Sequence, residues 1–312
     1  MRIAITGSTG LVGKALIPAL RQSGHQIVRL VRCSSITSKI QPNGRKDAEN
    51  EDTAQWQPSS GAVDLAALGD IDAVIHLAGE NVAGGRWTKA RKQRISTSRG
   101  ATTQKLCHTL ATMAKPPRVM ISASAVGIYG DRGAEELDEQ STLATSSDFL
   151  AEVAKAWEAG TQPLADSLTR IVHLRIGIVL DAKGGALQRM LLPFRLGLGG
   201  RLGNGNHWMS WITSEDLVRV VLHALSNDAL QGPVLAVAPN PVTNREFTRT
   251  LGKTLHRPTL FPIPVFALRT LFGEMSSILL NSQRARPVGL LDSGFEFHHE
   301  TLEEGLRAAL KK

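Results

Sequence analysis

The sequence predicts an α/β fold, a Rossmann-type doubly wound parallel sheet with a smaller C-terminal mixed lobe. Three observations carry that expectation. An apolar stretch, Arg2–Thr6, runs directly into Gly7-Ser-Thr-Gly10-Leu-Val-Gly13. Short apolar runs then alternate with helical patterns over the first ~175 residues, as in strand–helix–strand units. Beyond Asp181, glycine pairs and prolines divide the chain into shorter segments. With 312 residues the chain suits one large or two associated domains. The expected division is 1–180 for a nucleotide-binding domain and 181–312 for a substrate lobe, with some elements interleaved.

The elements follow in order. Arg2–Thr6 and Gln26–Val31 read as strands flanking a helix over Lys14 to Ser23. Ser34 to Ser60 is rich in Pro, Gly, Ser and Asp, a loop interrupted by a short strand near Trp56. Trp56 reads as a core anchor in preference to a neighbour of an adenine pocket. Asp72–Ala78 is a buried strand, Trp87 to Met113 one long helix, Val119–Ser122 a strand, Phe149 to Leu164 a helix and Ile171–Ile178 a strand. Shorter helices are expected at 186–196, 214–226, 243–256, 264–272 and 300–310.

Composition narrows the class. Apolar residues make up 42% and charged residues 21%, the proportions of a soluble globular protein. No apolar run reaches the ~18 residues of a membrane span, and with a strand at the start no signal peptide is expected ahead of it. Cys33 and Cys107 lack metal-ligand spacing and suit a reducing compartment, so a cytoplasmic location is expected. The nine histidines form no His-x-x-x-His set, and no metal site is expected. The net charge of +8 is uneven: residues 1–46 hold eight Lys/Arg and no Asp or Glu. Nucleic-acid binding is not expected, because the basic stretch lacks interleaved aromatics and the chain has a single Tyr. Local attraction for a phosphate ligand explains the asymmetry better.

The glycine turn says which phosphate. It ends a buried strand and opens a helix, presenting backbone N–H groups and a positive helix end to an anion such as a dinucleotide pyrophosphate. An NAD site usually offers an acidic residue ~20 positions further on, for the ribose 2′-hydroxyl. Here the second strand ends in Leu30-Val31-Arg32 with no carboxylate before Asp47. Arg32, with Ser34 and Ser35, is placed to fork onto a 2′-phosphate, so NADP(H) is expected.

Six segments then fall in a recognisable order: Gly7 to Gly13, His76-Leu-Ala-Gly-Glu80-Asn, Ser96-Thr-Ser-Arg99, Ser122-Ala-Ser124-Ala-Val-Gly-Ile-Tyr129-Gly, Leu174-Arg175-Ile-Gly-Ile178, and Gly203-Asn-Gly-Asn-His-Trp-Met-Ser-Trp211 running to Asp216. Together they resemble the extended short-chain dehydrogenase/reductases, and within them the atypical epimerase-family subgroup with its own C-terminal domain. The resemblance covers essentially the whole chain. It implies cofactor contacts at Gly7, Thr9, Gly10, Leu11, Val12, Gly13, Val31, Arg32, Leu77, Ala78, Gly79, Glu80, Arg99, Ser122, Arg175 and Ile178. His207, Trp208 and Trp211 lie where epimerases close over substrate. Asp216 matches an acidic family position, or simply caps the helix that starts there.

Typical members use a Ser/Thr, a Tyr and a Lys four residues after the Tyr for acid–base chemistry. Here four residues after Tyr129 is Gly133. On the expected helix Phe149 or Leu150 takes the tyrosine place, and Lys155 either reaches the ribose or is a solvated helix Lys. The remaining catalytic candidates are Ser124, with Ser122 as alternate, and Tyr129. No Gly-x-Ser-x-Gly elbow surrounds Ser124, which argues against a hydrolase. The implied function is an NADP(H)-binding epimerase-like oxidoreductase, moving hydride on a small carbonyl or alcohol substrate. The alternative is a non-catalytic NADP(H)-binding sensor or regulator. A nucleotide-sugar epimerase proper suffers from the missing pair. The expected partner is a small molecule, with a protein partner or a homo-oligomer left open.

Overall fold

The computed structural model describes residues 1–33, 52–145 and 148–311. Seven parallel strands form its central sheet: β1 (Arg2–Thr6), β2 (Gln26–Arg32), β3 (Asp52–Trp56), β4 (Ala73–His76), β5 (Val119–Ala125), β6 (Arg170–Ile176) and β7 (Gly232–Ala236). Their spatial order is β7-β6-β5-β4-β1-β2-β3. The chain reverses direction across the sheet between β1 and β4, the place where such sheets bind ligands. Register aligns Thr6 with His76, His76 with Ser122, and Ser124 with Arg175.

Both faces of the sheet are covered, so its strands read as continuous apolar runs. Alternation along β1 divides the core: Ile3 and Ile5 pack with Leu16, Leu20 and Val221 on one face. Ala4 joins Val28, Trp56, Leu106 and Met120 on the other. Trp56 is only 1% exposed and is a core anchor. The C-terminal lobe has its own core around Leu187, Phe194, Trp211, Phe247 and Leu306.

Three expected elements are divided. The long helix is two, α2 (Lys89–Thr97) and α3 (Gly100–Ala111), broken at Ser98 and Arg99. The second helix begins at Gly100, packed so closely that a Cβ there would lie 3.1 Å from the Ala156 Cβ. The helix from Phe149 stops at Ala159 and resumes as a turn over Gln162–Ala165. Pro163 has no N–H for an unbroken helix and its ring would strike the preceding turn. The strand over Ile171–Ile178 splits at Gly177, where a Cβ would sit 2.5 Å from the Ser210 carbonyl oxygen. Ile178–Leu180 then leaves the sheet and pairs with Trp211–Thr213. Strand β7, an edge strand containing Pro233, comes from beyond residue 181.

Candidate active site

The crevice begins at the glycine turn. Gly7 has φ +70°, and a Cβ there would lie 2.8 Å from the Leu77 carbonyl carbon. A Cβ on Gly13 would lie 2.5 Å from the Gly7 carbonyl oxygen. These contacts hold β1, the turn and helix α1 (Leu11–Gln22) closer than side chains allow. Gly10 is the N-cap of α1 and supplies no side-chain cap. The first amides of α1 are therefore left for an anion. Thr6 beneath them accepts from the Leu77 and Ala78 amides at 3.2 Å each, fixing the next strand end. Thr9, Gly10 and Gly79 are exposed along this edge, and Leu11, Val12, Val31, Leu77 and Glu80 half-buried. Arg32 is exposed at the end of β2, beside Cys33. Ser34 and Ser35 lie outside the described residues.

Beyond the turn a cavity of about 620 Å³ opens over the strand ends. Its floor includes Leu11, Ala125, Val126, Ile176 and Ile178. One wall is helix α4 (Phe149–Ala159), through Leu150, Val153, Ala154 and Trp157. Leu150 and Ala154 are four residues apart and share that face. They occupy the Tyr and Lys spacing of typical members with two groups that exchange no proton. Lys155 is turned elsewhere, ion-paired with Glu152 at 2.8 Å.

Arg99 enters the cavity from the break between α2 and α3. Its Nη1 donates to the Glu80 carbonyl at 2.9 Å and its guanidinium stacks 4.7 Å from the Trp157 ring centroid. Burial lowers its pKa to about 10, with Glu80 acting in the opposite direction, so it remains a cation at neutral pH. Asn81 and Arg189 also line this space, and the Trp157 Nε1 is buried with no hydrogen-bond partner. Among the described lining residues there is no carboxylate.

The structure does not bring Ser124, Tyr129 or Arg175 to the cavity wall. They form a buried cluster behind it. Arg175 makes a two-pronged ion pair with Glu158, Nε and Nη2 each donating at 2.9 Å. Its Nη1 donates to the Tyr129 hydroxyl at 2.7 Å, and that hydroxyl donates to the Asp138 carbonyl at 2.8 Å. Ser124 donates to Glu158 at 2.7 Å. Burial pushes the Tyr129 pKa up to about 12, with Arg175 pulling the other way. Each hydroxyl is thus committed to a structural partner. Ser122 is fully buried within β5.

The expected substrate-closing segment is divided in the same way. His207 and Trp208 line the cavity. Trp211 is fully buried, donating to the Asn240 carbonyl at 3.1 Å. Asp216 is 1% exposed and accepts the His298 and His299 amides at 2.8 and 3.1 Å, anchoring the C-terminal segment. Thr213, not Asp216, is the helix N-cap. Sequence reasoning missed Trp157, Gln188, Arg189 and Gln283 as lining residues. Only helical spacing from Leu150 to Trp157 offered a signal for any of them.

The fold and crevice define an extended short-chain dehydrogenase/reductase of the epimerase type. The chain belongs to the NAD dependent epimerase/dehydratase family, whose profile matches residues 3–238, while a domain of unknown function, DUF1731, matches residues 263–309. Epimerase family protein Mb2239 of Mycobacterium bovis is 41% identical over 305 residues, covering 97% of this chain and 96% of the relative. Epimerase family protein YfhF of Bacillus subtilis is 37% identical over 306 residues, with 98% and 97% covered. The crystal structure of human epimerase family protein SDR39U1 with NADPH superposes with a TM-score of 0.86 at 32% identity, covering 99% of both chains. Among the described residues no helix is long and apolar enough to cross a membrane.

Proposed function

We propose that this protein binds NADP(H) and transfers hydride to or from a small carbonyl or alcohol substrate without a Tyr-x-x-x-Lys pair. The observation that carries the reading is that Leu11, the first residue of the uncapped helix α1, lines the cavity over the strand ends. The glycine turn and α1 amides would hold the pyrophosphate. Arg32 would meet the 2′-phosphate, and the human relative crystallised with NADPH supports that choice. The bound nicotinamide would supply the hydride donor or acceptor. Arg99, fixed by Glu80 and Trp157, would place a cation beside the cofactor or an electron-rich substrate oxygen. The apolar Leu150–Ala154 face would exclude water from the reacting centre. A cavity without described carboxylates suits neutral or anionic substrates.

The test is ligand binding. Wild-type protein should bind NADPH more tightly than NADH by fluorescence titration. Arg32→Asp should weaken NADPH roughly 10- to 100-fold, the value of a charge-assisted hydrogen bond, while leaving NADH binding nearly unchanged. Equal NADPH affinity in the variant would remove the 2′-phosphate assignment. The second reading, an NADP(H) sensor without turnover, is favoured by the apolar pair at Leu150 and Ala154. Tight binding with no turnover against a carbonyl panel would establish it.

A further inference from the structure

We propose that the C-terminal lobe docks on an anionic lipid surface through an apolar and basic face built from residues 192–201 and 256–269. The proposal stands apart from the NADP(H) reading. Six large apolar side chains project from this face, Leu192, Leu196, Leu198, Leu260, Phe261 and Phe266, each 64–76% exposed. Single exposed leucines are ordinary on a protein surface, whereas a contiguous apolar patch marks a place that something covers.

The fold brings the two segments side by side. Leu192 and Leu196 are four residues apart at the end of the helix Gly185–Arg195 and share one side of it. Past that helix the chain runs along residues 257–265. Arg257 Nε donates to the Arg195 carbonyl at 2.8 Å, and the Ile263 amide to the Arg201 carbonyl at 2.8 Å. Leu202 bridges to Ile263 in parallel. The approach is close, since a Cβ on Gly200 would lie 1.7 Å from the Phe261 carbonyl oxygen. Leu260 and Phe261 stand between Pro258 and Pro262, whose fixed φ angles restrain the loop that presents them. Phe266 follows on the helix Val265–Phe272, with Arg269 three residues further along the same side.

Charge names the occupant. No acidic residue occurs between Asp181 and Glu215, or between Glu246 and Glu274. Of those flanking carboxylates, Glu246 is bonded to its own helix cap at Thr243 and Glu274 is paired with Lys92 at 2.7 Å. Arg195, Arg257 and Arg269 are exposed, and among the described residues none of them forms an ion pair. A second copy on a two-fold axis would set these arginines against their own counterparts, with no carboxylate to answer them. A protein partner would need a cup for each protruding side chain. A bilayer interface takes Leu and Phe among its acyl chains and arginines among its phosphates, as it does for interfacial protein segments. The six apolar residues line neither the 620 Å³ cavity nor a neighbouring one of about 800 Å³, so substrate does not account for them. Leu202, Val265 and Arg269 do line the larger cavity, which therefore borders the docking face.

The experiment sediments the full chain with vesicles of phosphatidylcholine alone, and of phosphatidylcholine and phosphatidylglycerol in equal parts, at low and high salt. Wild type should pellet with the mixed vesicles and be released by salt. It should bind the neutral vesicles at least about tenfold more weakly, from ~1 kcal/mol per arginine near an anionic leaflet. On the same scale Arg195→Gln with Arg269→Gln should weaken binding to the mixed vesicles about 25-fold. Leu260→Ser with Phe261→Ser should weaken it at least about tenfold, through lost apolar burial. Both variants alter exposed side chains and should melt as wild type does. Should the serine pair melt lower, Leu196→Ser with Leu198→Ser replaces it, and the same loss is expected. Light scattering without lipid gives the oligomeric state. Wild type that does not pellet with the mixed vesicles overturns the proposal, as does equal binding to the two vesicle types or wild-type binding by the variants. A wild-type dimer that the serine pair splits assigns the face to a second copy, and overturns it as well.

Discussion

The cluster of Arg175, Glu158, Tyr129 and Ser124 gives a test that separates stability from catalysis. The Arg175 and Glu158 side chains are 5% and 13% exposed and joined by two 2.9 Å bonds. Glu158→Gln keeps the shape, removes the charge and turns an amide N–H toward a guanidinium N–H. Breaking one partner of a buried pair leaves an uncompensated charge, which costs about 3–5 kcal/mol. Over a chain of this length that lowers the melting temperature by roughly 5–8 °C. Removing both charges, as Arg175→Met with Glu158→Leu, should cost far less than the sum of the two singles, because no charge is stranded. A residual cost of about 1–3 kcal/mol remains from the Tyr129 and Ser124 hydroxyls. Urea unfolding of wild type, Arg175→Met, Glu158→Leu and the double variant measures the coupling, with Glu158→Gln and NADPH titration alongside. A Glu158→Gln loss under about 1 kcal/mol, or additive singles, would refute the reasoning about the pair. Loss of NADPH affinity at unchanged stability would place the cluster in the cofactor site instead.

Two further outcomes follow. His76 is fully buried between Thr6 and Thr103, at 2.8 and 2.9 Å, and burial lowers its pKa to about 4, with Arg99 adding to the effect. The unfolded chain binds this proton first, so the contribution is whole above pH 6.5 and lost as pH falls toward 4. The loss amounts to about 3 kcal/mol. Urea unfolding between pH 7 and 4.5 should show it, and His76→Gln should flatten that part of the slope. Installing the absent pair as Leu150→Tyr with Ala154→Lys should raise carbonyl-dependent NADPH oxidation at pH 8 at least about tenfold. NADPH binding without that gain would mean α4 does not face the reacting carbon.

Local signals were legible where they act locally. The helix Ser214–Ser226 matches its expected bounds because Thr213 caps it and Glu215 and Asp216 fill its first turn. The glycine turn was equally readable, since Gly7 and Gly13 report close backbone approach. The break at Ser98–Arg99 was not, because neither residue is a strong helix breaker. Around it lie contacts from distant segments, Gly100 against Ala156 and Arg99 on the Glu80 carbonyl, which no local pattern announces. Strand β7 was missed because Pro233 argues against a central strand and is tolerated only at the edge it occupies. Ser124 and Tyr129 have residue types that fit chemistry, but a sequence does not show where a hydroxyl points. Their partners, Glu158 and Arg175, lie 34 and 46 residues away.

The α4 face bears most directly on what the site does. Leu150 and Ala154 are four residues apart on α4, the spacing of a Tyr-x-x-x-Lys pair, and both line the cavity. Through Leu150, Val153, Ala154 and Trp157, α4 gives this wall no titratable group. Polar side chains remain around it: Asn81, Arg99, Gln188, Arg189 and Gln283 line the same cavity. Arg99, held by the Glu80 carbonyl and stacked on the Trp157 ring, is a charged group among them that the fold fixes in place. A ligand held there would meet polar side chains from the α2–α3 break and from Gln188, Arg189 and Gln283, while α4 contributed an apolar surface and the Trp157 ring.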